Sequence, residues 1–163
     1  MFAAHFAAGL ALNGRAPKAP LPAMLMGAFL LDLFWIAFSV LHLDKTSLDD
    51  WSHSLLMSIC WATAFSFLFW RLGRETAAVV WLAAFSHFVL DWMVQGATLY
   101  PNSPHPWAPL VVQHYRIFQL VICFPLLAVY VRDARRDNLI APIRVAAVCA
   151  VVVLLNGRYL LGV

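Results

Sequence analysis

The sequence predicts an all-α protein: a polytopic membrane helical bundle of about five spanning helices plus a short N-terminal helix. Three observations predict it. Of the 163 residues, 63% are hydrophobic and only 12% are charged, too few charges for a soluble domain of this size. The apolar residues fall in runs close to the ~20 that a spanning helix needs. The basic residues are concentrated in alternate loops, the pattern that orients a membrane protein. The length suits one membrane-embedded domain over 1–163.

Residues 1–12, "MFAAHFAAGLAL", predict a short helix over 2–12. At ~1.5 Å per residue it covers about half of the hydrocarbon core, so it packs as a partial span. No basic residue precedes the apolar stretch, which argues against a signal peptide. Long apolar runs at 21–43, 48–71, 76–100 and 140–160 predict spanning helices, and 116–131 is just long enough to be another. "SLDD", 47–50, has the Ser-x-x-acid form of a capping box. That starts its helix at Ser47 and puts His53 in the second turn, about 8 Å inside the cap. "PNSPHPWAP", 101–109, holds four prolines and reads as a stiff extended loop. Pro125 predicts a kink. Cys60, Cys123 and Cys149 stand singly in apolar runs and read as small core residues.

Loops 13–20, 72–75 with its flank, and 132–139 carry Arg15, Lys18, Arg71, Arg74, Arg132, Arg135 and Arg136, seven of the eleven basic residues. The intervening loops hold Lys45, with Arg116 at the edge. The basic side is therefore expected to be cytoplasmic, leaving the proline loop outside. Trp51, Trp92, Tyr100 and Trp107 collect on that outer side as an aromatic belt. The net charge of +3 forms no basic stripe with interleaved aromatics, so no nucleic-acid partner is expected. Membrane lipid is.

Against this background five ionisable residues stand out: His5, Asp32, His53, His87 and Asp91, on four apolar segments. A carboxylate at the centre of a membrane helix costs ~2.5–3.5 kcal/mol on insertion scales. Neither Asp32 nor Asp91 has a lysine or arginine near it in sequence. His87 and Asp91, at i and i+4, share one helical face, the spacing by which one helix gives two ligands to one ion. Imidazole and carboxylate suit zinc, and also manganese or iron, and a divalent cation neutralises both carboxylates. A lone intramembrane histidine is more often a hydrogen-bonded core residue, and an Asp–His pair also fits a proton relay. His42 ends a helix and reads as interfacial. His105 and His114 lie in the outer loop region, as substrate contacts, extra ligands or solvated histidines. Convergence of the five asks for a tilted helix or a sunken 44–47 turn, because Asp32 and His53 lie at different depths.

The stretches "HFAAGLAL", "GAFLLDLFW", "WSHSLL" and "SHFVLDW", followed by a loop with proline and tryptophan, resemble the YdjM-like family of small inner-membrane metal-dependent hydrolases over about residues 3–110. That family is distantly similar to the zinc-dependent phospholipases C and the fungal zinc nucleases, whose ligands run His, Asp, His, His-x-x-x-Asp. The resemblance implies that Asp32, His53, His87 and Asp91 surround one metal and that Asp91 bridges to a second held by His5. Leu31 stands where the family has proline, Phe34 where it has a second acid, and Ser52 where it has threonine; no His-Arg pair precedes Ser52.

The expectation is a membrane-bound metal-dependent hydrolase with one or two zinc-type ions, acting on an amphiphilic phosphoester or other lipid-like ester from the outer side. Asp32 or Asp91 would orient the water. The alternative is a proton- or metal-coupled transporter, or an accessory subunit with a structural metal. A transporter is expected to show inverted repeats or broken helices in matched halves, which the sequence lacks, and at this length it would need to be a homo-oligomer.

Overall fold

The structure is a computed structural model, described for residues 2–16, 18–41, 48–104 and 115–134. Among these the chain is helical, with no strand. The 140–160 segment, Ser47 and the 44–47 turn, His42, His105, Trp107, His114 and Cys149 lie outside the described residues.

Helix α1, Phe2–Arg15, runs further than the apolar stretch that predicts it. It continues because buried Asn13 donates from Nδ2 to the Ala19 carbonyl at 2.8 Å, so the polar residue ends in a bond rather than a loop. Helices α2 (Leu21–Ala28) and α3 (Leu30–Val40) replace the single helix expected over 21–43 and meet at a 59° bend. The run 48–71 is also divided. Helix α4, Leu48–His53, stops at Ser54, which is extended (φ −68°, ψ 155°), and α5, Leu55–Phe67, follows, with a 3-10 turn at Trp70–Leu72. The break is held from outside the helix. Leu55 N and Leu56 N donate to the Thr98 and Leu99 carbonyls, both at 3.0 Å, so the first amides of α5 find partners without a continuous ladder.

Helix α6, Arg74–Gln95, is unbroken and ends at Gly96, whose φ of 80° suits a residue without Cβ. Helix α7, Tyr115–Ala134, continues through Pro125. Among the described residues one helix, Arg74–Val94, is long and apolar enough to cross a membrane, and the bent α2–α3 pair makes up to two.

Small residues bring the helices close. A Cβ on Gly9 of α1 would lie 3.0 Å from the Met24 carbonyl oxygen of α2, and one on Gly27 of α2 would lie 3.4 Å from the Ala84 nitrogen of α6. Helix α1 also packs on α7 through Ala7, Leu10, Cys123, Leu127 and Tyr130. Outside this core the bundle shows apolar side chains to its surroundings: Val40, Phe67, Leu68, Val121 and Phe124 are 60–74% exposed. Such a surface belongs against lipid. Cys60 is exposed on this outer face of α5 rather than buried, whereas Cys123 is in the core as expected.

The bundle has two unlike ends. Arg15 of α1 meets Asp133 of α7 at 3.3 Å, and Arg15 and Lys18 line one cavity with Glu75 of α6. At the other end lie the N-terminal half of α1, the bend after α2, α4 and the C-terminal half of α6.

Candidate metal centre

Helix α6 presents His87 and Asp91 one turn apart, both buried. Helix α1 lays His5 flat on His87, with ring centroids 3.8 Å apart and planes 3° off parallel. Gly9 lies one turn along α1 from His5, and its close approach to α2 draws the helix inward. Asp32 enters from the first turn of α3 and His53 from the last residue of α4. The five predicted residues therefore meet in one place. The bend near Phe29 and the break at Ser54 close the depth difference between Asp32 and His53 that straight helices would leave.

The contacts centre on the two carboxylates. Asp91 Oδ1 is 3.3 Å from His5 Nε2, and Asp91 Oδ2 is 3.0 Å from His87 Nε2 and 3.6 Å from His53 Nε2. Asp32 Oδ1 is 3.6 Å from His53 Nε2 and 3.8 Å from His87 Nε2. Ligands around a tetrahedral zinc, at ~2.0–2.2 Å from it, sit roughly 3.3–3.6 Å apart. His5, His87 and Asp91 form one triad with metal-ligand spacing, and Asp32, His53 and His87 form another. His87 Nε2 is common to both, but one lone pair binds one ion. Asp91, with an oxygen facing each side, is the ligand able to serve two.

Hydrogen-bond chemistry tests the fit. His87 Nδ1 lies 2.8 Å from the Ala28 carbonyl oxygen. A carbonyl only accepts, so Nδ1 carries a proton, and a neutral ring then has its lone pair on Nε2. That lone pair then faces an anionic oxygen at 3.0 Å. Neither His87 Nε2, Asp91 Oδ1, Asp32 Oδ2 nor either nitrogen of His5 has a hydrogen-bond partner, though all are buried. Each such atom costs about 1–3 kcal/mol if left so. A cation between them gives His87 Nε2, the two carboxylates and one nitrogen of His5 a partner at once, so the residues fit a divalent metal.

Two contacts that the sequence does not reveal orient the ligands. The Ala28 carbonyl is at the end of α2, where the bend takes it out of a regular helical ladder. The Ser52 hydroxyl lies 2.6 Å from His53 Nδ1, leaving Nε2 turned toward the carboxylates. Such outer partners fix ring orientation in metal sites. Asp50, three residues before His53, accepts from Thr98 Oγ1 and Asn102 N, both at 3.0 Å. It ties the segment after α6 to the helix that carries His53. Asp32 and His53 each keep 21% of their side chains exposed, whereas His5 and His87 keep none, so the cluster opens on the α3–α4 side. Exposed Leu33, Trp35 and Ile36 stand on α3 beside Asp32.

With the geometry in place, the comparison with protein families is specific: the description "YdjM inner membrane protein" matches residues 1–160. The chain belongs to the YdjM inner membrane protein family. It is an inner-membrane protein by that membership, in keeping with the apolar surface of the bundle. No curated protein and no solved structure matches it.

Proposed function

We propose that this YdjM family member is a metal-dependent hydrolase of the inner membrane. It holds one or two divalent ions, zinc by donor chemistry, and cleaves a phosphoester or other lipid-like ester. The observation that carries the reading is His87 Nε2 lying 3.0 Å from Asp91 Oδ2 while Nδ1 is bonded to the Ala28 carbonyl on the far side of the ring.

Asp32, His53, His87 and Asp91 would hold one ion, and His5 with Asp91 would hold the second. When bound, such ions polarise the ester oxygen and acidify water near them. The chain does the rest. Ala28 and Ser52 keep His87 and His53 turned inward. Asp32, on the open side, would orient the attacking water, take its proton and return it to the leaving alkoxide as the ester bond breaks; Asp91 holds the two halves of the site in register. An amphiphile reaches Asp32 along the apolar residues of α3 without leaving the bilayer. With the basic end toward the cytoplasm, as the loop charges lead one to expect, the site at the other end of the bundle opens toward the outer side.

The deciding experiment is His5→Ala, with metal counted per folded molecule and hydrolysis followed on phospholipid and simple phosphoester substrates. One ion is retained and turnover is lost. Unchanged metal content and unchanged turnover would overturn the two-ion scheme.

A second reading has one observation in its favour. Helix breaks near Phe29 and at Ser54 flank the cluster, and interrupted helices beside a buried ion site are a transporter feature. These breaks, which a reading of straight spans misses, fall in neighbouring segments rather than matched halves. Proton or metal flux in liposomes without hydrolysis of any ester would favour that reading.

A further inference from the structure

A second site lies at the opposite end of the bundle from the His/Asp cluster. A cavity of about 520 Å³ opens between the end of α1, the link into α2 and the first turns of α6. Its volume falls in the range of about 300–1,000 Å³ usual for ligand sites. Arg15 and Lys18 line one side; Glu75 lines the α6 side. Its lining includes apolar Ala16, Ala19 and Val79; Ala19 belongs to a buried cluster shared by α2 and α6, and Ala16 and Val79 pack against it.

The charges in this cavity are unlike ordinary surface pairs. Among the described residues neither Lys18 nor Glu75 has an ion-pair partner, although they share one cavity. Arg15 uses Nε on Asp133 at 3.3 Å and is 64% exposed, so the rest of its guanidinium fork remains available. Opposite charges that line one space without closing on each other suit a ligand carrying both signs. A simple phosphate would meet the cations and be repelled by Glu75. An anionic lipid headgroup would meet the same repulsion.

We propose that this cavity binds the headgroup of a zwitterionic aminophospholipid. Its phosphate sits on Arg15 and Lys18, its primary ammonium on Glu75, and its glycerol and upper acyl chains over Ala16, Ala19 and Val79. Basic pockets between membrane helices are known to take lipid phosphates; here the carboxylate adds selection for the amine. A choline headgroup has no N–H to give Glu75, so it binds less well. The site is separate from the metal centre and shares none of its residues.

The test uses the full chain in nanodiscs containing equal amounts of phosphatidylethanolamine, phosphatidylcholine and phosphatidylglycerol, with retained lipid measured by native mass spectrometry after release. The wild-type protein retains phosphatidylethanolamine over the other two. Glu75→Gln lowers that preference by about fivefold, the loss of one charged contact near a membrane surface, whereas Lys18→Gln removes a contact to the phosphate common to all three and lowers their retention alike. Glu75→Gln also shifts retention toward phosphatidylglycerol, whereas Lys18→Gln does not. Both side chains are exposed, and unchanged helical content and metal content show that the variants are folded. Equal retention of the three lipids by wild type, or a preference for phosphatidylglycerol untouched by Glu75→Gln, would overturn the proposal.

Discussion

Asp91 and Asp133 are carboxylates near opposite ends of the bundle, and the chain treats them in opposite ways. Asp133 meets Arg132 at 3.0 Å and Arg15 at 3.3 Å, and both arginines are about two-thirds exposed. Arg132 chiefly, with Arg15 beside it, holds its carboxyl below the usual carboxylate range. Asp91 has no lysine or arginine partner among the described residues; imidazoles of His5, His53 and His87 surround it at 3.0–3.6 Å. A carboxylate at the surface can be balanced by any long cationic side chain, with water finishing the job. Inside a bilayer the balancing charge must come with the site. Neutral imidazoles orient an ion well but do not replace one. One end of the molecule is built for salt and water, and the other gathers a donor set that could hold a cation.

The contrast is broken most directly at Asp91. Asp91→Asn keeps the shape and removes the charge, so bound metal falls to near zero and the stabilisation that added zinc gives the wild type disappears. That stabilisation reaches about 4 kcal/mol when free metal is a thousandfold above Kd. Thermal unfolding with and without zinc measures both. An Asp91→Asn protein that still binds and is stabilised by zinc would mean that the cluster is a hydrogen-bonded core.

The next effect is smaller. Ser52→Ala removes the partner of His53 Nδ1 and weakens metal binding by about 10- to 100-fold, the usual consequence of losing an outer ligand contact. Ser52→Thr keeps the hydroxyl and restores most of it. Competition with a chelator of known affinity gives the number; equal affinities for the two variants would leave Ser52 with a packing role alone.

Gly9→Ala sharpens the comparison from the packing side. Its Cβ meets the Met24 carbonyl at 3.0 Å and Ala28 Cβ at 3.2 Å, so α1 must shift, at a cost of about 1–3 kcal/mol. His5 moves with α1. The ion on the His5 side is therefore lost more readily than the other, which a titration of metal release under increasing chelator resolves as two separated steps. A single unchanged step would show that the His5 side does not depend on helix contact.

The smallest effect belongs to Asp133. Asp133→Asn leaves metal content unchanged and alters the melting temperature only slightly, and less still at high salt. Its folded carboxyl is held low, so its contribution is present above the ordinary carboxylate range and is lost as pH falls below that range through the lowered folded value. A pH series of wild type against Asp133→Asn, converging in acid, checks the sign.

Much of the candidate site can be read from the sequence because its chemistry contradicts its surroundings. An Asp in "GAFLLDLFW" and a His–Asp pair in "SHFVLDW" stand out against residues that avoid charge, and the i, i+4 spacing alone puts two of them on one face. The helix breaks leave fainter marks. The bend near Phe29 falls between Ala28 and Leu30 and carries no proline. The break at Ser54 is held by carbonyls more than forty residues away, at Thr98 and Leu99, so no local preference encodes it. Ser54 is a residue type favoured at helix starts, a weak signal that an apolar run of this length conceals. Ser52 sits beside His53 in "WSHSLL" and could be suspected. The Ala28 carbonyl could not, because every residue has one, and only the fold shows which of them meets a histidine.

That last point bears on how the site tolerates mutation. His53 is oriented by a hydroxyl that a single base change can delete. His87 is oriented by the main chain, and no substitution at position 28 removes a main-chain oxygen. Drift there is limited by size instead, since Ala28 is fully buried against the face of α1 that carries Gly9. Of the two imidazoles, His87 is thus the harder to disorient by inheritance. An engineer retuning the centre for another ion would keep His87 fixed and vary the pair at 52 and 53.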